Sequence, residues 1–160
     1  MCERVPIFDS LTKKPKDIRK NMRKRFEQQR KLGVISISEI KLPLKSRDEL
    51  PPILRALQHI YVTPELNEKV FRILEEKVQK GKKKTGRYGM ELWHILVLSV
   101  VRLGLDADYD RLDDFANHHK LIRQILGVET TCGEGKRFSR QSIQDNVSLL
   151  DEETIRQINE

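Results

Sequence analysis

MELWHILVLSVVRLGL, running from Met90 to Leu105, is the stretch on which the fold turns. Leu92, Trp93, Ile95, Leu96, Val97, Leu98, Val100, Val101, Leu103 and Leu105 fall on nearly every side of a helical wheel. A helix apolar almost all round needs covering on most sides, so this one is expected at the centre of the protein. His94, Ser99 and Arg102 interrupt the run, which is too short to span a bilayer. With no secretory signal at the N-terminus, the expected location is cytoplasmic, without a membrane partner.

Downstream, Asp110 has the chemistry of an N-cap for a helix that turns Leu112, Phe115 and Ala116 inward. A short helix is expected over His119–Leu126, with Leu121, Ile122, Ile125 and Leu126 inward and Gly127 as its stop. Residues 128–138 read as a glycine-containing loop or small hairpin turning at Gly133–Gly135. Ser139 caps a helix through Leu150, with Ile143, Val147 and Leu150 facing in and Arg140, Gln141, Gln144 and Asn146 facing out. Asp151 caps a last helix, Glu152 to Asn159.

Upstream, Gly81–Arg87 (GKKKTGR) is a basic linker, because two glycines and four cations favour neither a packed element nor a helix. Before it, Pro64 opens a helix capped by Thr63, with Leu66, Val70, Phe71, Leu74 and Val78 as its stripe. An earlier helix starts near Pro51 or Pro52 and carries Ile53, Leu54, Leu57, Ile60 and Tyr61. Residues 34–44 alternate in part, with Ile40, Leu42 and Leu44 in step, and are expected to be extended. Over Lys16–Leu32, Ile18, Met22 and Phe26 recur every fourth residue among many Lys and Arg, which predicts a basic amphipathic helix ending at Gly33. Residues 1–15 show no periodicity and are expected to lack order.

The resulting expectation is an all-α protein: a compact bundle of short helices with a helix-turn-helix-like C-terminal half and a basic N-terminal helical arm. Its segments are 1–45 (arm), 46–80 (helical pair), 81–87 (linker) and 88–160 (helical domain). The net charge of +7 is unevenly placed. Residues 1–45 hold 13 Lys and Arg against 5 Asp and Glu, and residues 81–90 hold 4 against 0. Residues 91–135, by contrast, hold 4 against 8. A positive arm and linker beside an acidic core favour a polyanionic partner, although many soluble proteins carry such a surplus without one.

No catalytic or metal constellation emerges. Asp106, Asp108, Asp110, Asp113 and Asp114 open like a calcium loop, but Arg111 and Asn117 stand where that loop needs Gly and Glu. An acid-rich helix start is the simpler account. His118 and His119 are adjacent and diverge on a helix, Cys2 and Cys132 match no zinc spacing and read as reduced thiols, and the glycines around the linker match no phosphate loop. No cofactor, metal or small-molecule substrate is therefore expected. Double-stranded DNA is the favoured partner. Lys82, Lys83, Lys84, Arg23, Lys24 and Arg25 are the candidates for phosphate contacts, and Arg87, Arg140, Gln141 and Gln144 for specific or close ones. A solvated face remains the bland reading of each group.

Gly86, Arg87, Gly89 and Met90, leading into Leu92, Leu96 and Leu98, begin an ordered series. It continues through Arg102, Gly104, Leu105, Asp106, Asp108, Tyr109, Asp110, Arg111, Leu112, Asp114, Ala116 and Asn117. Leu121, Arg123, Gln124, Leu126 and Gly127 extend it, as do the run from Asp145 to Leu150 and the upstream stretch from Ser46 to Pro52. This series resembles the N-terminal domain of bacterial insertion-sequence transposases of the DDE class, over about residues 20–160. The resemblance implies a helical domain that recognises the terminal repeats of the element during DNA transposition. It further implies an RNase H-like catalytic domain with three metal-binding carboxylates, before which this chain is expected to stop. On that reading the chain alone is not an enzyme. Two other classes compete: a helical interaction module that forms homo-oligomers through 16–32 and 64–79, and an RNA-binding accessory protein.

Overall fold

The central helix forms as the sequence implies and organises the rest. The computed structural model describes residues 23–28, 31–80, 89–131 and 135–160, and all regular structure in them is helical. In chain order come α1 (Leu50–Val62), α2 (Pro64–Gln79), α3 (Leu92–Gly104), α4 (Tyr109–His118), α5 (Lys120–Ile125), α6 (Arg140–Val147) and α7 (Glu152–Asn159), with one 3-10 turn at Ile37–Glu39. Nine side chains of α3, from Leu92 to Ser99 and Val101, are buried, and only its C-terminal end reaches solvent at Leu103. It packs against α1, α2, α4 and α6, while α7 rests on α2. Apolar side chains of the 3-10 turn, α1 and α2 lie in the same buried cluster as those of α3, α5 and α6.

Two polar rings of α3 are enclosed with it. Trp93 Nε1 donates to the Ile125 carbonyl at 2.8 Å, and His94 Nε2 meets the Leu126 carbonyl at 2.9 Å. These acceptors are among the last carbonyls of α5, which a helix cannot satisfy internally. Gly127 follows at a φ of +69°, and a Cβ there would lie 2.5 Å from the Phe26 ring, so both backbone and space call for glycine.

Capping follows short side chains. Asp108, Ser139 and Asp151 accept from the backbone N–H groups of Arg111, Ser142 and Thr154 at 2.8, 3.2 and 2.8 Å. The α4 cap is thus Asp108 and not the expected Asp110, because the helix begins two residues earlier and leaves Asp110 in its first turn. Thr63 sits at the α2 cap position, but its hydroxyl makes no capping bond.

The N-terminal segment differs most from expectation. Of the helix anticipated over 16–32, residues 16–22, 29 and 30 lie outside the described residues, and residues 23–28, 31 and 32 are not helical. Residues 23–28 form a strap whose polar groups bond across to the bundle. The Lys24 carbonyl accepts from Leu92 N–H at 2.9 Å, the Phe26 ring sits 5.0 Å from the His94 ring, and Phe26 has a φ of +98°, which no helix permits. Residues 34–44 are likewise not a strand. Gln28 bonds to Ile35 O and Ile37 N, and Gln58 to Ile37 O and Ile40 O, which pins a turn that buries Ile37 and Ile40. Leu44, expected in step, is 82% exposed. No strand flanks the glycine loop among the described residues: Thr131 N–H donates to Gly33 O at 3.0 Å, and residues 132–134 lie outside the description.

Because Leu96 is wholly enclosed, Leu96→Ala is expected to cost about 2–5 kcal/mol in urea unfolding. A loss under about 0.5 kcal/mol would mean that α3 is not central. His94 supplies a pH test. Burial holds its imidazole neutral, with a pKa lowered to about 3, whereas the unfolded chain takes up that proton near about 6.5. Stability should therefore fall as pH drops from about 6.5 towards 3, by up to one proton in slope, and be insensitive to this group above that window. His94→Gln should remove that slope from urea midpoints measured between pH 7 and 4; an unchanged slope would refute the assignment.

Candidate nucleic-acid interface

α6 begins where two elements hold the chain ahead of it. Asn117 of α4 pairs with residue 138 in both directions: its Nδ2 donates to the Phe138 carbonyl and its Oδ1 accepts from Phe138 N–H, each at 2.9 Å. Arg123 of α5 is 7% exposed, and its guanidinium donates to Ala116 O, Lys136 O and Val128 O at 3.0, 3.2 and 3.3 Å. Glu129 neutralises it at 2.6 Å. Ile143 and Val147 anchor the inner face of α6 in the core.

Its outer face carries Arg140 and Gln141, both exposed, with Gln144 half-buried beside them. Lys136 and Arg137 stand exposed just before the Ser139 cap. These two cations, Ser139, Ser142 and Asn146 line a cleft beside the α6 N-terminus together with Gly89 and Met90. The positive end of the helix dipole points the same way. In the free protein the outer side chains satisfy one another. Arg140 pairs with Asp110 and meets Gln144 Oε1 at 3.4 Å, and Gln141 Nε2 donates to Asp145 Oδ1 at 2.7 Å. Such exposed pairs contribute only about 0–1 kcal/mol and exchange readily for another partner.

The structure sorts the candidate residues into three groups. Arg140, Gln141 and Gln144 share one face. Lys82, Lys83, Lys84 and Arg87 lie outside the described residues, as do Cys2 and Cys132. Arg23 and Arg25 are turned to the protein. Arg25 is held by Glu75 at 2.7 and 2.9 Å and by Glu68, and these carboxylates raise its pKa above the ordinary guanidinium range. Arg23 donates to the Met90 carbonyl at 3.1 Å and to Asn146 Oδ1. Lys24 lies exposed between them and is also engaged. Asn146, expected on the outer face, is 8% exposed and faces inward. Its burial is tolerable because Arg23 and the Ser142 carbonyl, the latter at 2.6 Å, satisfy both ends of its amide.

Lys136 and Arg137 were not singled out from the sequence, although two adjacent cations immediately before a helix cap were a usable signal. The inward roles of Arg123 and Asn117 had no such signal, since both depend on loop carbonyls brought close by folding. The acidic residues of 106–114 are dispersed into a cap at Asp108, an ion pair at Asp110 and a bond from Asn117 to Asp113. Among the described residues no group of three or more His, Cys, Asp or Glu could hold a metal ion, and no helix is long and apolar enough to cross a membrane.

Comparison of the chain with protein-family models, with curated proteins and with solved structures found no match in any of the three.

Proposed function

We propose that this protein binds double-stranded DNA, with α6 as the element that enters the groove, and that it serves as the DNA-binding N-terminal part of an insertion-sequence transposase. The observation that carries the reading is the mounting of α6. A short helix is fixed from behind by Ile143, Asn146 and Val147, presents Arg140 and Gln141 outward, and is preceded by Lys136 and Arg137. Arg and Gln can each make paired hydrogen bonds to purine edges in a major groove, while flanking cations neutralise phosphates and set the register. In this proposal Lys82, Lys83 and Lys84 stay in the phosphate-contacting set and Arg87 keeps the close-contact role, as the sequence suggests for them. Arg23 and Arg25 leave that set, being committed to protein acceptors.

The oligomerisation reading is less well supported. The α2 stripe of Val70, Phe71, Leu74 and Val78 is used up inside the protein's own core, and the described part of 16–32 offers no helical face. The proposal assigns no strand cleavage to these residues.

Titrations on duplexes at two or more salt concentrations test the reading. Lys136→Ala with Arg137→Ala should weaken binding to all sequences alike and make the slope of log K against log salt shallower by up to about 2. Arg140→Ala or Gln141→Ala should cost about 1–3 kcal/mol on a preferred duplex and little on a scrambled one. Arg72→Ala, an exposed α2 position paired only weakly with Glu68 at 3.9 Å, should do neither. Binding without salt dependence, or competition by single-stranded RNA at equal strength, would defeat the DNA reading.

A further inference from the structure

We propose that Arg23 is a positioning residue for α6: from the strap it ties the inner face of that helix to the backbone entering α3, and so sets how α6 is presented. This rests on the reading of α6 as the DNA-contacting element.

Four residues from three separate stretches meet at the joint. The Arg23 guanidinium reaches the Met90 carbonyl at 3.1 Å and Asn146 Oδ1 through the same nitrogen. The amide of Asn146 is used at both ends, since its Nδ2 donates to the Ser142 carbonyl at 2.6 Å and lies 3.4 Å from Ser142 Oγ. Its orientation is therefore fixed, and with it the rotation of α6 about its axis. Partial burial lowers the pKa of Arg23 from its ordinary value.

Gly89 completes the joint. A Cβ at this position would lie 2.3 Å from Arg23 Nη1 and 2.6 Å from its Cζ. The clash is with the far end of a flexible side chain, so an added methyl group would move the guanidinium and leave the backbone in place. The strap does not hang on Arg23 alone. Lys24 O accepts from Leu92 N–H, and Arg25 is clamped by Glu68 and Glu75. Loss of the Arg23 contact should thus free α6 without detaching the segment.

Gly89→Ala and Arg23→Met separate positioning from charge, because the first keeps the cation and displaces it while the second removes it. A duplex library with a randomised centre, selected with the full-length wild-type chain, defines the preferred sequence. Affinities are then measured on that duplex and on its scrambled version at two salt concentrations, beside hydrogen exchange of residues 140–147. Both variants are expected to lose about ten-fold in discrimination, roughly the ratio a misaligned base contact forfeits. The salt slope should stay unchanged, and exchange should quicken in α6 but not in α1 or α2. Arg23→Lys should recover part of the discrimination. A slope shallower by about 1 in Arg23→Met, with Gly89→Ala like wild type, would make Arg23 a phosphate contact and overturn the proposal. So would unchanged discrimination in both variants. If Arg23→Met fails to fold, Gly89→Ala and Arg23→Lys decide in the same terms. If wild type binds no duplex, the DNA reading falls by itself; unchanged α6 exchange in Gly89→Ala would then overturn the joint, and faster exchange would uphold it as a mount for α6.

Discussion

The N–H groups of Trp93 and His94 must be satisfied in a place that water does not reach. Both rings sit on a helix buried on nearly every side, and an unpaired donor there would cost about 1–3 kcal/mol. The carbonyls at the end of α5 have the complementary need. Joining them fixes the distance and direction between α3 and α5, and with these the position of Gly127, where the chain turns. Phe26 then has a floor to pack on, between the Gly127 backbone and the His94 ring, and the loop after Gly127 is directed towards α6. The neutral state of His94 follows from the same enclosure.

Periodicity was a good guide wherever a segment contributes a whole face to the core. The stripes of α1 to α3 and the caps at Ser139 and Asp151 were legible because local pattern and tertiary environment agree there. Reading failed where side chains act singly. Phe26 is spaced from Met22 as if on a helix, yet it is a lone plug with a left-handed backbone, held by partners 35 and 68 residues further on (Tyr61 and His94). Asn146 has the polarity of a surface residue and becomes an inner one because an arginine far away in sequence meets it. The choice between Asp108 and Asp110 as cap was undecidable from residue type, since both suit the position; in the fold Asp108 takes it, accepting from Arg111 N–H.

The candidate interface was legible in part for the same reason. Arg140 and Gln141 are exposed at the start of a capped helix, a local property. What keeps that helix in place is not local. Asn117, Arg123 and Arg23 come from α4, α5 and the strap, and each bonds to backbone or amide groups that converge only in the folded chain. Buried Arg123 shows how demanding such support is. Four acceptors surround one guanidinium, which ties Val128, Glu129 and Lys136 to the end of α4 through a single side chain.

The strap also imposes an order in time. Arg23 and Asn146 are separated by 123 positions, and the Lys24 carbonyl waits for the amide of Leu92. During synthesis the strap emerges before all of these partners, and Asn146 is the last of them to be added. At ribosomal speeds of about 5–20 residues per second, the Arg23–Asn146 contact becomes possible only about 6–25 s after Arg23 is made, whereas Glu68, Glu75 and Leu92 are available to the strap sooner. The joint that sets α6 is therefore the last fastening of the strap that synthesis makes possible.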